Sequence, residues 1–421
     1  MTVAPFALER WFRAAAAAGT VDLSSSGVPP VTLAELLQLT SHAERESFTD
    51  VSLGYGPPDG DPALRAAVAA RYRGVAASDV LLTCGAIEAL HLAVVSLVKA
   101  GDEVIVQDPM YPAVAGLARL VGAHVVLWRL EEECGFGAAL DALMRLLTAR
   151  TRLVAITQPN GPTGSILNTA ELDALIATLD GRGVRLLSDE VYRDLVLEPG
   201  LRVPSAAERA PHAIVVGDVA KPFGLGGLRI GWIVTADAGL RERLACLRDY
   251  TTLSVATMSA VLARIALAHA SELLAEPLED ARTNLTTLAA TASSHAFSFV
   301  APRAGVTVFL RVPDASRVQR ELQREGVLVV PGELFGHPDR LRIGLATKTS
   351  QFAHALARLN SLVFSRERSP EADCAAPSDR CEANDACPPR SFVVPIDRDS
   401  VVIDAGVARK DSHERSEKLR I

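Results

Sequence analysis

The sequence predicts an α/β fold: an open, mostly parallel sheet covered by helices, followed by a smaller α+β lobe. Three observations carry this expectation. Between about residue 79 and residue 235, short apolar segments alternate with helical ones. The apolar segments are continuous runs rich in Val, Ile and Leu, the pattern of strands buried on both faces. After a helical stretch at 281–300, three more β-like runs follow, which suits a second, smaller lobe.

The elements follow in order. The N-terminal "MTVAPFALERWFRAAAAAG" reads as a short amphipathic helix. Glu9, Arg10 and Arg13 precede its alanine run, the wrong arrangement for a secretory signal. "DEVIVQ", "HVVLWRL", "RLVAIT", "VRLLS", "HAIVVG" and "IGWIV" read as strands. "AIEALHLAVVSLVKAG" and "TAELDALIATLDGRG" lie between them as helices, the second with a Gly stop. Strand and helix in series imply a parallel sheet. "GVTVFLRV", "GVLVVPG" and "RLRIGLAT" supply the smaller lobe. The expected organisation is an N-terminal segment at 1–44, a large domain at 45–275, a small domain at 276–363 and a tail at 364–421. The tail is polar, charged and Pro-containing, too poor in apolar surface to offset its ordering entropy, and is expected to be disordered.

Composition narrows the function. Of 421 residues, 49% are apolar and 22% charged, ordinary for a soluble globular protein. A net charge of -7 gives no electrostatic attraction for nucleic acid or an anionic membrane. No apolar run reaches the roughly 18 residues of a membrane span. The six cysteines contain no CxxC pair, so neither disulfides nor a metal site is expected. The expected setting is cytoplasmic.

Ligands of open α/β sheets bind just past the carboxyl ends of the strands. Three such ends carry chemistry here. "RLVAIT" runs into "QPNGPTG" with Asn160; "VRLL" into "SDEVYRDL" with Asp189 and Tyr192; "HAIVVG" into "DVAKPFG" with Lys221. Asp189 and Tyr192, three apart, are expected on one face of a helix. A lysine, a carboxylate and a phenol thus converge on one rim. A lysine can form a Schiff base with an aldehyde cofactor. Pyridoxal phosphate needs such a lysine and an acid facing its ring nitrogen. Its phosphate needs a helix N-terminus. "LLTCGAIEAL" offers one at Gly85, Ala86 and Ile87, and Arg229, eight residues after Lys221, adds a cationic fork.

With these residues in view, the chain resembles the class I/II aminotransferases of the pyridoxal-phosphate fold type I superfamily. The resemblance rests on "GYGPPDGDPALRAAV", "TCGAIEAL", "QDPMYP", "TQPNGPTG", "LSDEVYRDL", "AKPFGLGGLRIGW", "VLVVPGELFG" and "LRIGLA", in the family's order from about residue 20 to 362. "FALERWF" and "DYTT" are similar to a branch that includes capreomycidine synthase-like proteins. The resemblance implies a mostly parallel seven-stranded sheet and pyridoxal 5'-phosphate as cofactor. By position, Lys221 resembles the Schiff-base lysine and proton carrier, Asp189 the partner of the ring nitrogen, and Tyr192 the donor to the ring 3-oxygen. Tyr111 resembles the residue stacked on the ring. Arg229, with Gly85, Ala86 and Ile87, resembles the phosphate cradle. Tyr55 resembles a tyrosine that reaches the neighbouring subunit's phosphate, which implies a homodimer. Arg342 resembles the arginine that grips the substrate carboxylate. The implied activity is transfer of an amino group between an L-amino acid and a 2-oxo acid. The alternative is elimination or cyclisation of an amino acid, as in the capreomycidine synthase-like branch.

Two departures bear on that alternative. The family asparagine that contacts the 3-oxygen and the substrate carboxylate is replaced by Gly161, with Asn160 one place earlier as the candidate for both contacts. Either Asn160 substitutes or the contact is lost. Three residues before the lysine, where the family often has a phosphate-binding serine, stands Asp218, which is expected to turn away from the phosphate.

Overall fold

The computed structural model describes residues 4–15, 21–292 and 297–364. The expectation of a disordered tail from 364 onward, and the apolar runs and three cysteines it holds, lie outside the described residues apart from position 364. Among the described residues, twelve strands form three sheets. They are β1 (Val21–Asp22), β2 (Val80–Thr83), β3 (Glu103–Asp108), β4 (His124–Arg129), β5 (Thr151–Thr157) and β6 (Arg185–Asp189). The rest are β7 (Ile214–Asp218), β8 (Gly231–Val234), β9 (Thr307–Arg311), β10 (Val327–Leu328), β11 (Val330–Pro331) and β12 (Arg340–Gly344).

The large sheet has seven strands in the order β2-β8-β7-β6-β5-β3-β4. Only β8 runs against its neighbours β2 and β7. The continuous apolar runs are explained by burial on both sides. Leu82, Ile105, Val154, Ile156, Leu186 and Val215 enter one core cluster. Their chain neighbours Leu81, Val104, Val106, Leu153, Leu187, Ile214 and Val216 enter the cluster on the opposite face. Helix Gly85–Leu97 packs on the second face and helix Thr169–Asp180 on the first. The latter starts on a capping box made by Asn168 and Glu171.

The second core gathers β9 and β12 with helices Ala315–Arg324 and Thr349–Phe364, through Val308, Leu310, Val318, Leu322, Ile343, Phe352 and Leu356. β11, β12 and β9 form an antiparallel sheet. Helix Ala270–Ala292 runs unbroken through the expected boundary at 275/276, with Pro277 inside it. The N-terminal segment ties into this region, because β1 pairs in parallel with β10. No single helix among the described residues is long and apolar enough to cross a membrane.

Candidate active site

Lys221 follows directly from the end of β7. It sits in the four-residue helix Ala220–Phe223, half-buried, with Nζ 3.1 Å from Ser26 Oγ. Its backbone carbonyl accepts from the Val28 N–H at 3.0 Å. Asp218 holds this turn in place. Its Oδ1 accepts from the N–H groups of Ala220 and Lys221 at 3.1 and 3.2 Å. The carboxylate expected to avoid the phosphate therefore folds back on the backbone as a cap. Burial raises its pKa, against the lowering pull of Lys221 and those two N–H groups.

One strand over, Asp189 ends β6 and is 5% exposed. Burial pushes its carboxyl up to about 7. Val191 N–H and Lys221 oppose that rise, while the charges of Asp218 and Glu190 add to it. Tyr192 follows in a turn, 191–194, rather than in the helix the spacing suggested. The turn is of helical hand, with Leu195 N–H donating to Tyr192 O at 3.0 Å, so the phenol still faces the same rim and is buried.

Asn160 is engaged within its own turn. Its Nδ2 donates to Gln107 Oε1 (3.1 Å) and Pro109 O (3.0 Å), and its Oδ1 accepts from the Thr163 hydroxyl (2.8 Å). These bonds brace the turn. Gly161 stands where it does because a Cβ there would lie 2.7 Å from Tyr192 Cε2. The phenol ring fills the space a side chain at 161 would need.

The phosphate end is built on the start of helix Gly85–Leu97. Its first N–H groups have no carbonyl within the helix to bond and carry the positive end of the helix dipole. Arg229 lies over them, its Nη1 donating to Gly226 O (3.1 Å) and its Nη2 to Cys84 O (3.4 Å). Gly85 has φ +74° and faces the guanidinium so closely that any Cβ would collide with it. Ala86 is half-buried and Ile87 is exposed on the next positions.

Arg342, in β12, is 4% exposed, which excludes a surface strand-end role. Its Nη2 donates to the Ser24 carbonyl. Its Nε is buried without a hydrogen-bond partner among the described residues. An orphaned guanidinium N–H of this kind costs free energy until an acceptor arrives, and a substrate carboxylate supplies one. Tyr111, just past β3, donates from its hydroxyl to Glu9 Oε1 at 2.8 Å and packs on Phe6 with ring centroids 5.4 Å apart. Burial first, then the Glu9 carboxylate, push this phenol's pKa upward, so it stays protonated. Tyr55 is 91% exposed.

The residues match a family model described as aminotransferase class I and II over positions 17–359. The chain belongs to that family. Among curated proteins this family member is 38% identical to capreomycidine synthase of Streptomyces vinaceus, over 84% of this chain and 92% of that one. Among solved structures it superposes on a PLP-dependent aminotransferase from Streptococcus suis with a TM-score of 0.81 and 30% identity, covering 88% of this chain and all of that one. It also superposes on the PLP-dependent cyclase OrfR, with a TM-score of 0.77 and 28% identity, over 88% of this chain and 99% of that one.

The cofactor of this aminotransferase-family chain is pyridoxal 5'-phosphate, and the residues present fit it. Lys221 would hold the aldehyde carbon, Asp189 would face the ring nitrogen, and the helix start at Gly85 with Arg229 would take the phosphate. When bound, the cofactor supplies an electron sink for charge developing on a substrate carbon. Two contributors escaped the sequence reading: Ser26, which steadies the lysine amine, and Glu9, which meets Tyr111. Neither has a local signal, since Ser26 lies 195 residues from Lys221 and Glu9 lies 102 from Tyr111.

Proposed function

We propose that this chain acts at the α-carbon of an α-amino acid and that the outcome is elimination with ring closure, rather than amino transfer. The substrate carboxylate pairs with Arg342, whose Nε awaits a partner. Lys221 takes the α-proton as general base and returns it as general acid. A leaving group X departs from the β-carbon, a side-chain nitrogen of the same molecule bonds to that carbon and gives up its proton, and HX is released in balance. The observation that carries this outcome is Gly161, which removes the family's amide from the 3-oxygen while Asn160 is tied up elsewhere. The near full-length likeness to a capreomycidine synthase and the fold match to a PLP-dependent cyclase support it. The second reading, amino transfer to a 2-oxo acid, is favoured by the likeness to the Streptococcus suis aminotransferase.

One experiment separates the two. Holoenzyme is mixed with β-hydroxylated amino acids in the absence of any oxo acid. Ring closure predicts a product lighter by HX, with the cofactor's visible spectrum restored at the end. Stoichiometric pyridoxamine phosphate with a 2-oxo acid would establish amino transfer instead. Lys221→Ala should abolish the lysine-bound cofactor band, trap no cofactor on borohydride reduction, and lower turnover by about 10²–10⁴-fold or more.

The reading includes two copies of the chain. Leu53, Tyr55, Tyr250 and Leu253 are large apolar side chains left exposed. The loops that carry them adjoin one another, since Thr257 Oγ1 donates to Gly54 O at 3.0 Å. A partner subunit that covers these loops would receive Tyr55 at its phosphate.

A further inference from the structure

Helix Ala7–Ala15 forms a wall of the site, and one face of it is chemically specific. Leu8 anchors the helix, 1% exposed, among Leu130, Phe136, Phe309, Val330 and Phe335. Phe6, Glu9 and Phe12 recur at intervals of three, so they share a face. Phe6 packs on Tyr111, and the Phe12 ring lies 5.8 Å from the Arg342 guanidinium carbon. Glu9, between them, touches the Tyr111 hydroxyl. The wall therefore runs from the carboxylate-binding arginine to the ring-stacking tyrosine, with a carboxylate in the middle.

That carboxylate is underused. Among the described residues no salt bridge engages Glu9, and its one hydrogen bond is the proton given by Tyr111. Both Arg342 and Tyr111 lie within reach of its field. Glu9 and Phe12 are separated by about one helical turn, roughly 4.5 Å along the axis. A substrate gripped by its α-carboxylate at Arg342 and extended along this face would bring its side-chain end to Glu9, with the two phenylalanine rings beside its methylenes.

We infer that Glu9 selects substrates whose side chain ends in a cation, a guanidinium or an ammonium, and disfavours dicarboxylates. The inference rests on the reading of the site given above. The same pairing presents a side-chain nitrogen to the reacting carbon. Glu9 acts on substrate directly, through an ion pair flanked by Phe6 and Phe12.

The test uses holoenzyme and two readouts. One is the dissociation constant of each amino acid, from its effect on the cofactor's visible absorption. The other is exchange of the α-proton in deuterium oxide, followed by mass. The probes are L-arginine, L-norleucine and L-glutamate. The expected order is arginine at least tenfold tighter than norleucine, with glutamate weakest. Glu9→Gln keeps an acceptor for Tyr111 and removes only the charge, so the arginine-to-norleucine ratio should collapse toward one. Equal affinity for arginine and norleucine in the natural protein would overturn the inference. So would a Glu9→Gln variant that loses both equally, because that is the signature of a helix held in place and nothing more. If no amino acid exchanges its α-proton, the functional reading itself fails and the inference falls with it. If norleucine or glutamate exchanges best, the reading stands and the inference alone is wrong.

Discussion

Asp189 shows how one side chain couples the cofactor to stability. In the cofactor-free fold its carboxyl titrates near 7, chiefly through burial, whereas an unfolded aspartate titrates near 4. Between those values the folded chain holds a proton that the unfolded chain has released. The carboxyl's contribution to stability therefore falls as pH rises from about 4 to about 7. Asp189→Asn has no such loss. Thermal melts of cofactor-free protein should show the variant gaining on the natural chain by several degrees between about pH 5 and 7.5. A gap that stays flat with pH would reject burial as the dominant influence. A cationic ring nitrogen opposite Asp189 favours its ionised form, so the gap should shrink or invert once cofactor is bound.

The phosphate cradle is a property of elements more than of any one contact. β2 and β8 pair so that Thr83 faces Gly231, and the helix from Gly85 starts at that point. Arg229, itself at φ +54°, swings across the helix start. Gly85→Ala would strain a positive-φ position and push the guanidinium aside. The expected result is at least a tenfold weaker hold on pyridoxal phosphate in equilibrium dialysis, with a stability cost of about 1 kcal/mol. Unchanged affinity would show that the arginine finds another route to the phosphate. At this scale much was legible in the sequence. Six of the seven large-sheet strands were readable as apolar runs; five of them are buried on both faces, while β4, at the sheet edge, is largely open, and the short buried β2 was not read. Lys221, Asp189 and Tyr192 stood out because strand ends place them on one rim. Helix Ala270–Ala292 was read as starting later than it does because Pro277, a residue that usually breaks helices, sits inside it. The bonds Asn160 makes were not legible because a turn's internal bonding cannot be seen from residue type. Glu9 and Ser26 were missed because tertiary folding alone brings them to the site.

For the whole molecule, Tyr55 offers a direct test of subunit exchange. If two copies pair as proposed, a chain carrying Tyr55→Ala and a chain carrying Lys221→Ala should each have little activity alone. Refolded together, half of the dimers are hybrids, and each hybrid holds one site with both residues intact. Recovery of about a quarter of the natural activity is expected if the tyrosine crosses to its neighbour. No recovery would confine Tyr55 to a surface role.

The segment around residues 21–28 has a consequence for synthesis. Its strand β1 pairs with Val327 and Leu328, Ser26 reaches the Lys221 amine, and Val28 bonds the Lys221 carbonyl. These residues precede their partners in the chain, Ser26 by 195 residues. The pairing of β1 must wait until Val327 and Leu328 have been added. That strand can seat only then. The two ends of the segment are thus fixed at different stages, Ser26 and Val28 against Lys221 within the large-sheet region and β1 against the later β10, so a chain shortened before Val327 would keep the first tie and lose the second.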